Sequence, residues 1–345
     1  MTQLLNPPTE TIRRLATIER IESIRDIPDA DAIVCARVRG WDVVVRRGDL
    51  LAGDECVYFE VDSFIPTSDV RFDFLASRGI SVDEAGTTGY VLKTARLRGQ
   101  YSQGLALPLS EFPEESTDGD LTEALNIVKW DPPMPTEMAG VARGGFPSWF
   151  PKTAEHRVQN NADVLGTPGD WVATEKVDGT SMSVWTTEND EGVAQRGWDL
   201  EDTDNRYWNM ARQLNLHATL RALGETAVVQ GELFGPGILG KNPLGVKEVR
   251  FLAFTLYIDG EEIAREFWPA ALLAIAVPIF DLPFPATIDE AVAQADGIRS
   301  LISPDRLAEG IVWRNLTSAT ANVDGRIVRA SVKVISNKFL LKNGG

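Results

Sequence analysis

The sequence has few of the residues that build disulfide frameworks, thiolate clusters and histidine-dependent active sites. It contains two cysteines and two histidines in 345 residues. Cys35 and Cys56 lie in apolar, strand-like runs, where we expect small core residues and not a disulfide. With only His156 and His217, neither a His-based metal site nor a Ser-His-Asp triad is expected. Acid–base chemistry therefore falls to Asp, Glu and Lys.

Long apolar runs and an excess of positive charge are also missing. No run approaches the roughly 20 residues of a membrane helix. The opening MTQLLNPPTE lacks the pattern of a secretory signal, so we expect a cytoplasmic protein with no membrane partner. The net charge of −16 is opposite to the basic excess that nucleic-acid-binding proteins usually show. A basic cleft can still coexist with an acidic exterior, because the field depends on where charges lie.

The chain is long enough for two domains. Short apolar runs separated by turn signals predict about five strands between residues 11 and 110, in a small closed barrel, with an OB fold favoured over a generic β-sandwich. The predicted strands are Ala32–Val38, Trp41–Val45, Glu55–Val61, Tyr90–Leu97 and Gly104–Leu109. Residues 111–150 are acidic and then rich in Pro and Gly, which is typical of a linker. We predict an OB-fold nucleic-acid-binding domain over 1–135 and a second domain over 136–345.

The second domain mixes strands with helices, so the predicted fold class is α+β. Apolar residues at helical spacing predict helices over Asn205–Leu223 and Ile288–Leu301. The predicted strands are Trp171–Thr174, Ser181–Thr186, Val228–Val229, Phe251–Ile258, Ile311–Arg314 and Arg329–Ile335.

A lysine beside an Asp-Gly pair is the sharpest motif. Lys176-Val177-Asp178-Gly179 lies between two strand-like runs, and Asp-Gly permits a tight turn that would fix the lysine amine in a cleft. Taken alone, Lys-x-Asp-Gly is also typical of an exposed hairpin.

Three further charged residues each interrupt an apolar strand. Glu232 lies beside glycines, Glu309 precedes Gly310, and Lys333 lies within Ser331–Ile335. Buried charges need partners, so these residues and Lys176 could satisfy one another around one cleft. Each alone is also typical of a charge at a strand edge.

In this order the motifs resemble the covalent nucleotidyltransferase superfamily of ATP-dependent ligases and capping enzymes. More closely, the chain resembles ATP-dependent RNA ligases of the Deinococcus/Naegleria type, which carry an N-terminal OB domain. The segments that carry this closer resemblance are Arg98–Leu105, Phe150–Thr153, Arg157–Asn160 and Val332–Phe339.

The resemblance implies an enzyme that joins 3′-hydroxyl and 5′-phosphate RNA ends in RNA repair. It would act through a lysyl-AMP on Lys176 and an adenylylated 5′ end, with ATP and Mg²⁺ or Mn²⁺ as cofactors. It implies an ATP-grasp-like adenylyltransferase domain of antiparallel sheets plus helices. The RNA partner is left open between a nicked duplex, RNA on a DNA template and broken tRNA, and we expect a monomer.

The resemblance also implies roles for individual residues. Asp178, Glu232 and Glu309 would hold the metal, largely through its waters. The nucleotide would be bound by Glu175 (main chain, adenine edge), Lys176, Gly179, Arg157, Phe254 (stacked on adenine), Glu232 and Lys333 (α-phosphate). The metal and Lys333 would lower the pKa of Lys176, because like charges disfavour the protonated form. Alternatively, the Phe254 side chain only packs in the hydrophobic core.

Three arginines are the predicted RNA contacts. Arg196 would bind the 5′-phosphate, for which an arginine fork is well suited. Arg96 and Arg98 are two residues apart on one predicted strand. Side chains two residues apart point to the same face of a strand, so the two arginines could hold phosphates together. Alternatively, Arg196 is an exposed charge on a hairpin. Arg96 and Arg98 could likewise lie on a strand face that only solvent contacts.

Two positions depart from the pattern, and three rival functions stay open. Ile335 stands where related ligases that seal duplex RNA often carry a second lysine, which Lys338 or Lys241 could replace. Gly197 stands where Asn is more usual. A DNA ligase or a capping enzyme usually has its OB domain after the last lysine motif, whereas here the β-rich segment comes first. The other rivals are an inactive nucleic-acid-binding relative and an acidic interaction protein with chance motifs.

Overall fold

In a computed structural model the chain forms two compact units. The structure describes residues 13–83, 85–114, 118–131, 140–152, 155–240, 242–317, 320–323 and 326–343. One unit contains the described residues up to 131 together with those from Leu340, and the other contains residues from 140 to Phe339. The predicted boundary at residue 135 lies outside the described residues. None of the described helices is long and apolar enough to span a membrane.

The first unit is built from short antiparallel strands. Its strands are β1 Ala16–Arg20, β2 Ser23–Asp26, β3 Ile33–Val38, β4 Trp41–Arg46, β5 Glu55–Phe59, β6 Ser63–Pro66, β7 Ser81–Val82, β8 Thr88–Val91, β9 Ala95–Leu97, β10 Gln100–Ser102, β11 Leu105–Pro108 and β12 Val128–Lys129, with 3₁₀ helices at Val70–Arg78 and Leu109–Glu111. They pair in the orders β1-β5-β11, β2-β3-β4, β10-β9 and β12-β6-β8-β7. Side chains alternate along β5, so Val57 and Phe59 enter one core cluster while Cys56 and Tyr58 enter another.

Three predictions for this unit need correction. The described residues of this unit form twelve strands, of which eleven lie within residues 11–110, where about five were predicted. The predicted strand Tyr90–Leu97 is two strands, because β8 ends at Val91 and β9 begins at Ala95. The predicted linker 111–150 is partly core, because Leu121, Leu125 and Ile127 are buried in the first unit. Both cysteines are buried and free, as predicted.

The second unit contains two main sheets. Its strands are β13 Ala142–Gly145, β14 Trp171–Lys176, β15 Thr180–Thr186, β16 Glu191–Gln195, β17 Trp198–Leu200, β18 Ala227–Phe234, β19 Arg250–Ile258, β20 Glu261–Glu262, β21 Ile279–Phe280, β22 Gly310–Asn315, β23 Thr320–Val323, β24 Arg326–Arg329 and β25 Ser331–Ile335. Its helices are α1 Arg206–Gln213, α2 Leu216–Arg221, α3 Ala270–Leu273, α4 Ile288–Ala295 and α5 Asn337–Asn343, with 3₁₀ helices at Val158–Asn160, Ala162–Gly166 and Arg265–Phe267. The large sheet has the order β13-β17-β16-β15-β18-β19-β20, and the small sheet has the order β21-β14-β22-β25.

Each of these sheets has one apolar face covered by helices. Met182 and Val229 of the large sheet belong to a core cluster with residues of α1 and α2. Ile311 and Trp313 of the small sheet pack in a second cluster with Ala291 of α4. Because successive side chains point to opposite faces, the other face of each sheet carries the polar residues discussed below.

Both predicted helices are shorter than expected. The span Asn205–Leu223 is two helices, because Asn215 adopts a left-handed conformation with φ of 52° and interrupts it. Asn205 begins the first of them, where its side chain accepts hydrogen bonds from the backbone N–H groups of Tyr207 and Trp208. The second predicted helix ends at Ala295 and not at Leu301.

Candidate active site

Lys176 lies where the chain crosses from one sheet to the other. It is the last residue of β14 in the small sheet, and residues 177–179 lead directly into β15 of the large sheet. The two strands therefore do not form the exposed hairpin that Lys-x-Asp-Gly alone would suggest. The crossing places the lysine at the cleft between the polar faces of the two sheets.

Gly179 allows the crossing segment to lie against strand β18. A Cβ atom on Gly179 would lie 2.4 Å from the carbonyl oxygen of Leu233 and 3.0 Å from Cγ of Glu232. Its backbone is not in the left-handed region, so the glycine is required for close approach and not for an unusual turn. This approach brings Glu232 next to the lysine motif.

The amine of Lys176 is held by acids. Its Nζ lies 2.6 Å from Oε2 of Glu309, and both side chains are largely buried. Burial lowers the pKa of Lys176, but the negative charges of Glu309, Glu232 and Asp178 outweigh it and raise the pKa above its usual value. The predicted lowering by a bound metal together with Lys333 stays a prediction. The amine must lose a proton before it can act as a nucleophile.

Glu232 makes the cleft a favourable place for a cation. Burial raises its pKa to about 8, and although Lys176 opposes the shift, Glu309 and Asp178 reinforce it. Crowded carboxylates of this kind suit Mg²⁺ or Mn²⁺, which prefer oxygen ligands. Within the described residues no three Asp, Glu, His or Cys side chains form a ready-made ligand cluster. Asp178, Glu232 and Glu309 nevertheless line one cavity, and Mg²⁺ usually keeps several waters when one or two carboxylates bind it.

The strand register explains why Lys333 faces the same cleft. Lys176 pairs with Gly310, while Thr174 pairs with Val312, which pairs in turn with Lys333. Residues opposite one another on neighbouring strands point to the same face. This face borders a cavity of about 430 Å³.

Most predicted site residues in this unit line that cavity. They are Glu175, Lys176, Asp178, Gly179, Arg196, Glu232, Phe254, Glu309 and Lys333. Arg157 is not among the lining residues, although its backbone bridges to Lys333. The carboxylate of Glu175 accepts hydrogen bonds from Ser300 Oγ and the backbone N–H of Leu301, so its side chain is already engaged.

The remaining predicted contacts lie elsewhere. Arg96 is on β9, but Arg98 lies in the following turn with φ of 50°, so the expected shared strand face is wrong. Both side chains are exposed. Lys338 is exposed, lies 3.7 Å from Asp296 and does not line the cavity. Lys241 is outside the described residues.

A β-bulge sets the position of Phe254. In the pairing of β18 with β19, Gln230 faces Thr255 and Gly231 faces Ala253, which leaves Phe254 as the extra residue. Bulges of this kind redirect a side chain. Phe254 is partly buried, lines the cavity, and packs near Val177 and Val277.

Sequence reasoning missed three charged residues that also line the cavity, namely Glu155, Arg314 and Arg329. Arg314 continues the even spacing from Gly310 through Val312, and this period-2 pattern could have identified it. Glu155 has no comparable signal. Burial would raise its pKa, but Arg329, Arg314 and the hydroxyl of Ser331 outweigh burial and hold the pKa at about 2.

Replacing Glu155 with glutamine is expected to destabilise the fold in a pH-dependent way. The shift from 4.5 to about 2 corresponds to ~3 kcal/mol of unfolding free energy at pH 7. This contribution is present above the unfolded pKa and is lost as pH falls toward about 2. Urea denaturation at pH 7 should show the full difference between Glu155→Gln and wild type, and at pH 3 a smaller one. An equal difference at both pH values would contradict the ion-pair assignment.

Comparisons with known proteins agree with both units. Residues 15–109 match an OB-fold domain family, and residues 169–335 match the RNA ligase family. The chain is similar to the solved structures of Naegleria gruberi RNA ligase, at 35% identity over 96% of this chain and 99% of that one. The TM-score is 0.78 for a Lys-to-Ala variant with ATP and Mn and 0.77 for the structure with pyrophosphate. No curated protein sequence matches significantly. The predicted OB fold and α+β class are thereby confirmed.

Proposed function

The chain belongs to the RNA ligase family and is an ATP-dependent enzyme, and we propose that Lys176 is the residue that carries AMP. One observation carries this assignment: the amine of Lys176 lies in the cavity between the two sheets, 2.6 Å from Glu309. Lys333 reaches the same cavity from the neighbouring strands. A primary amine with an adjacent acceptor for its proton is the arrangement that covalent nucleotidyl transfer requires.

In the first step the deprotonated amine of Lys176 attacks the α-phosphorus of ATP. The new N–P bond replaces the bond from the α-phosphorus to the bridging oxygen, and pyrophosphate leaves with that electron pair. Glu309 is the nearest acceptor for the ammonium proton. Lys333 would contact the α-phosphate as a cation, and Phe254 would stack on the adenine.

Asp178, Glu232 and Glu309 would hold a divalent cation, largely through its waters. The bound cation supplies positive charge that offsets the charge on the α-phosphate and lowers the pKa of the lysine amine. This proposal is supported by the common position of the three carboxylates in the lining of one cavity, and by the Mn that accompanies ATP in the similar Naegleria gruberi structure.

In the later steps AMP would pass from Lys176 to a 5′-phosphate, and a 3′-hydroxyl would then displace it. We propose Arg196 as the contact for that phosphate, because it is exposed and lines the cavity. Arg96 and Arg98 would contact RNA from the first unit. The proposed substrate is RNA with a 5′-phosphate end, in a nicked duplex, on a DNA template or in a broken tRNA, and the proposed active form is a monomer in the cytoplasm.

Label transfer from ATP tests the proposed reaction. With Mg²⁺ or Mn²⁺, α-labelled ATP should leave label on the denatured protein, and γ-labelled ATP should not, because pyrophosphate is released. Unlabelled protein in both reactions, from a folded sample, would refute covalent nucleotidyl transfer. Nicked RNA, RNA on DNA, nicked DNA and cleaved tRNA, each with a 5′-phosphate, would then be compared as acceptors. Faster sealing of nicked DNA than of any RNA would refute the substrate assignment.

A further inference from the structure

Four charged residues join the two sheets of the second unit. We call Glu155, Glu262, Arg314 and Arg329 the cross-sheet clamp. Arg314 lies 3.1 Å from Glu155 and 3.8 Å from Glu262. Arg329 lies 2.5 Å from Glu262 and 3.9 Å from Glu155. Because Arg314 is on β22 of the small sheet and Glu262 is on β20 of the large sheet, their pair ties one sheet to the other, and Arg329 contacts the same two glutamates from β24, which pairs with β23 in a separate two-stranded sheet.

Arg314 also binds the backbone that carries Phe254. Its Nη1 donates to the carbonyl oxygen of Phe254 at 2.6 Å. Phe254 is the extra residue of the β-bulge, and a bulge leaves that residue outside the regular hydrogen-bond ladder. The guanidinium group therefore fixes a segment that the sheet alone fixes poorly.

The distance from Lys176 to the clamp can be estimated along strand β22. Gly310, Val312 and Arg314 share the cavity face of β22, and Gly310 pairs with Lys176. Arg314 is four residues further along the strand, which is about 13 Å. A nucleotide joined to Lys176 through its α-phosphate would extend along this face toward Phe254. Its phosphate would lie at the lysine end and its base would lie nearer the clamp.

The charges of the clamp argue against a phosphate-binding role. Two arginines face two glutamates, so the cluster has no net positive charge to attract a polyanion. Glu155 accepts from both Arg314 and Ser331, and Arg329 makes two contacts with Glu262. Each guanidinium group thus bonds to at least one carboxylate, although Nε of Arg314 is buried without a hydrogen-bond partner among the described residues.

We infer that Arg314 is a positioning residue that sets the slot between the Phe254 ring and Val312 in which the base of ATP lies. This inference rests on the proposed function, because it takes the base to be that of the nucleotide that reacts with Lys176. Arg314 would act through Phe254 and would not touch the reacting atoms. Its loss should therefore weaken binding of the base without slowing transfer of bound AMP.

Arg314→Lys is the test variant, because lysine keeps the charge but cannot make the divergent bonds to Phe254 and Glu155 together. In ATP–pyrophosphate exchange we expect KM for ATP to rise about tenfold with kcat little changed. Calorimetry should show the same weakening for ATP. Binding of inorganic tripolyphosphate, which has the phosphate chain but no base, should be unchanged.

Arg329→Lys is the matched control, because it disturbs the same glutamates without a bond to Phe254, and its KM should change far less. Arg314→Gln serves if Arg314→Lys does not fold, because glutamine also cannot bond Phe254 and Glu155 together as the arginine fork does, and the same direction is expected. A fall in kcat at constant KM, or equal weakening of ATP and tripolyphosphate, overturns the inference. Absence of exchange by the wild-type protein would refute the proposed function. Calorimetric binding of ATP and of tripolyphosphate would still test whether Arg314 positions the base.

Discussion

Lys176→Met is expected to abolish transfer of AMP to the protein. Lys176 is the cavity amine that lies 2.6 Å from Glu309, and loss of a nucleophile typically costs at least about 10³-fold in rate. Methionine keeps much of the apolar stem in its packed position. Label from α-labelled ATP should fall to background, and ATP-dependent RNA joining should fall with it.

Lys338→Met is the control for that experiment. Lys338 is exposed, pairs with Asp296 and lies outside the cavity lining, so its loss should leave label transfer at the wild-type level. Thermal unfolding of both variants would separate lost chemistry from lost structure. Label on folded Lys176→Met would assign the nucleophile to a different residue, with Lys333 examined next.

Gly310→Ala is expected to cause the largest loss of stability among single substitutions in the cleft. A Cβ on Gly310 would lie 2.0 Å from the carbonyl oxygen of Val334 and 2.9 Å from Cα of Ile335. Backbone atoms in a paired strand cannot rotate away as a side chain would, so β22 and β25 must separate. We expect a cost of about 3 kcal/mol or more and loss of label transfer, because Glu309 and Lys333 flank this contact.

Gly166→Ala provides the comparison, since nothing lies within 4 Å of a Cβ at that glycine. Its effect should stay within about 0.5 kcal/mol. Urea denaturation of the two variants beside wild type measures both values. A Gly310→Ala protein as stable as Gly166→Ala would mean that the strands pair differently around Gly310.

The order of charged residues along the chain predicts which groups meet in the cleft. Glu232 and Lys333 lie within apolar strands, Lys176 ends one and Glu309 precedes one, and the structure brings all four to one cavity. Their chemical roles remain predictions. The physical reason is general, since a charge in a buried strand needs partners, and other charges in buried strands are the available ones.

What could not be predicted depends on which strands pair. The crossing at residues 177–179 cannot be predicted from the neighbouring sequence. It arises because β14 pairs with the distant strand β22, with Thr174 opposite Val312, and not with β15. The bulge at Phe254 exists only in the register of β19 against β18. Glu155 finds Arg314 at a separation of 159 residues. Likewise, the break at Asn215 follows from one left-handed residue inside a continuous helical pattern.

The crossing segment also has a consequence for how long the cleft stays closed. If AMP is joined to Lys176, its attachment point lies at the end of β14, next to the three-residue connection to β15, so one covalent bond holds the nucleotide near both walls of the cavity. Contacts of the nucleotide with either sheet then become intramolecular, with a high effective concentration that dilution cannot reduce. In each adenylylated molecule the bound AMP would therefore hold the two sheets together until it is transferred to a 5′-phosphate. The two sheets would then be released from this contact only when RNA binds.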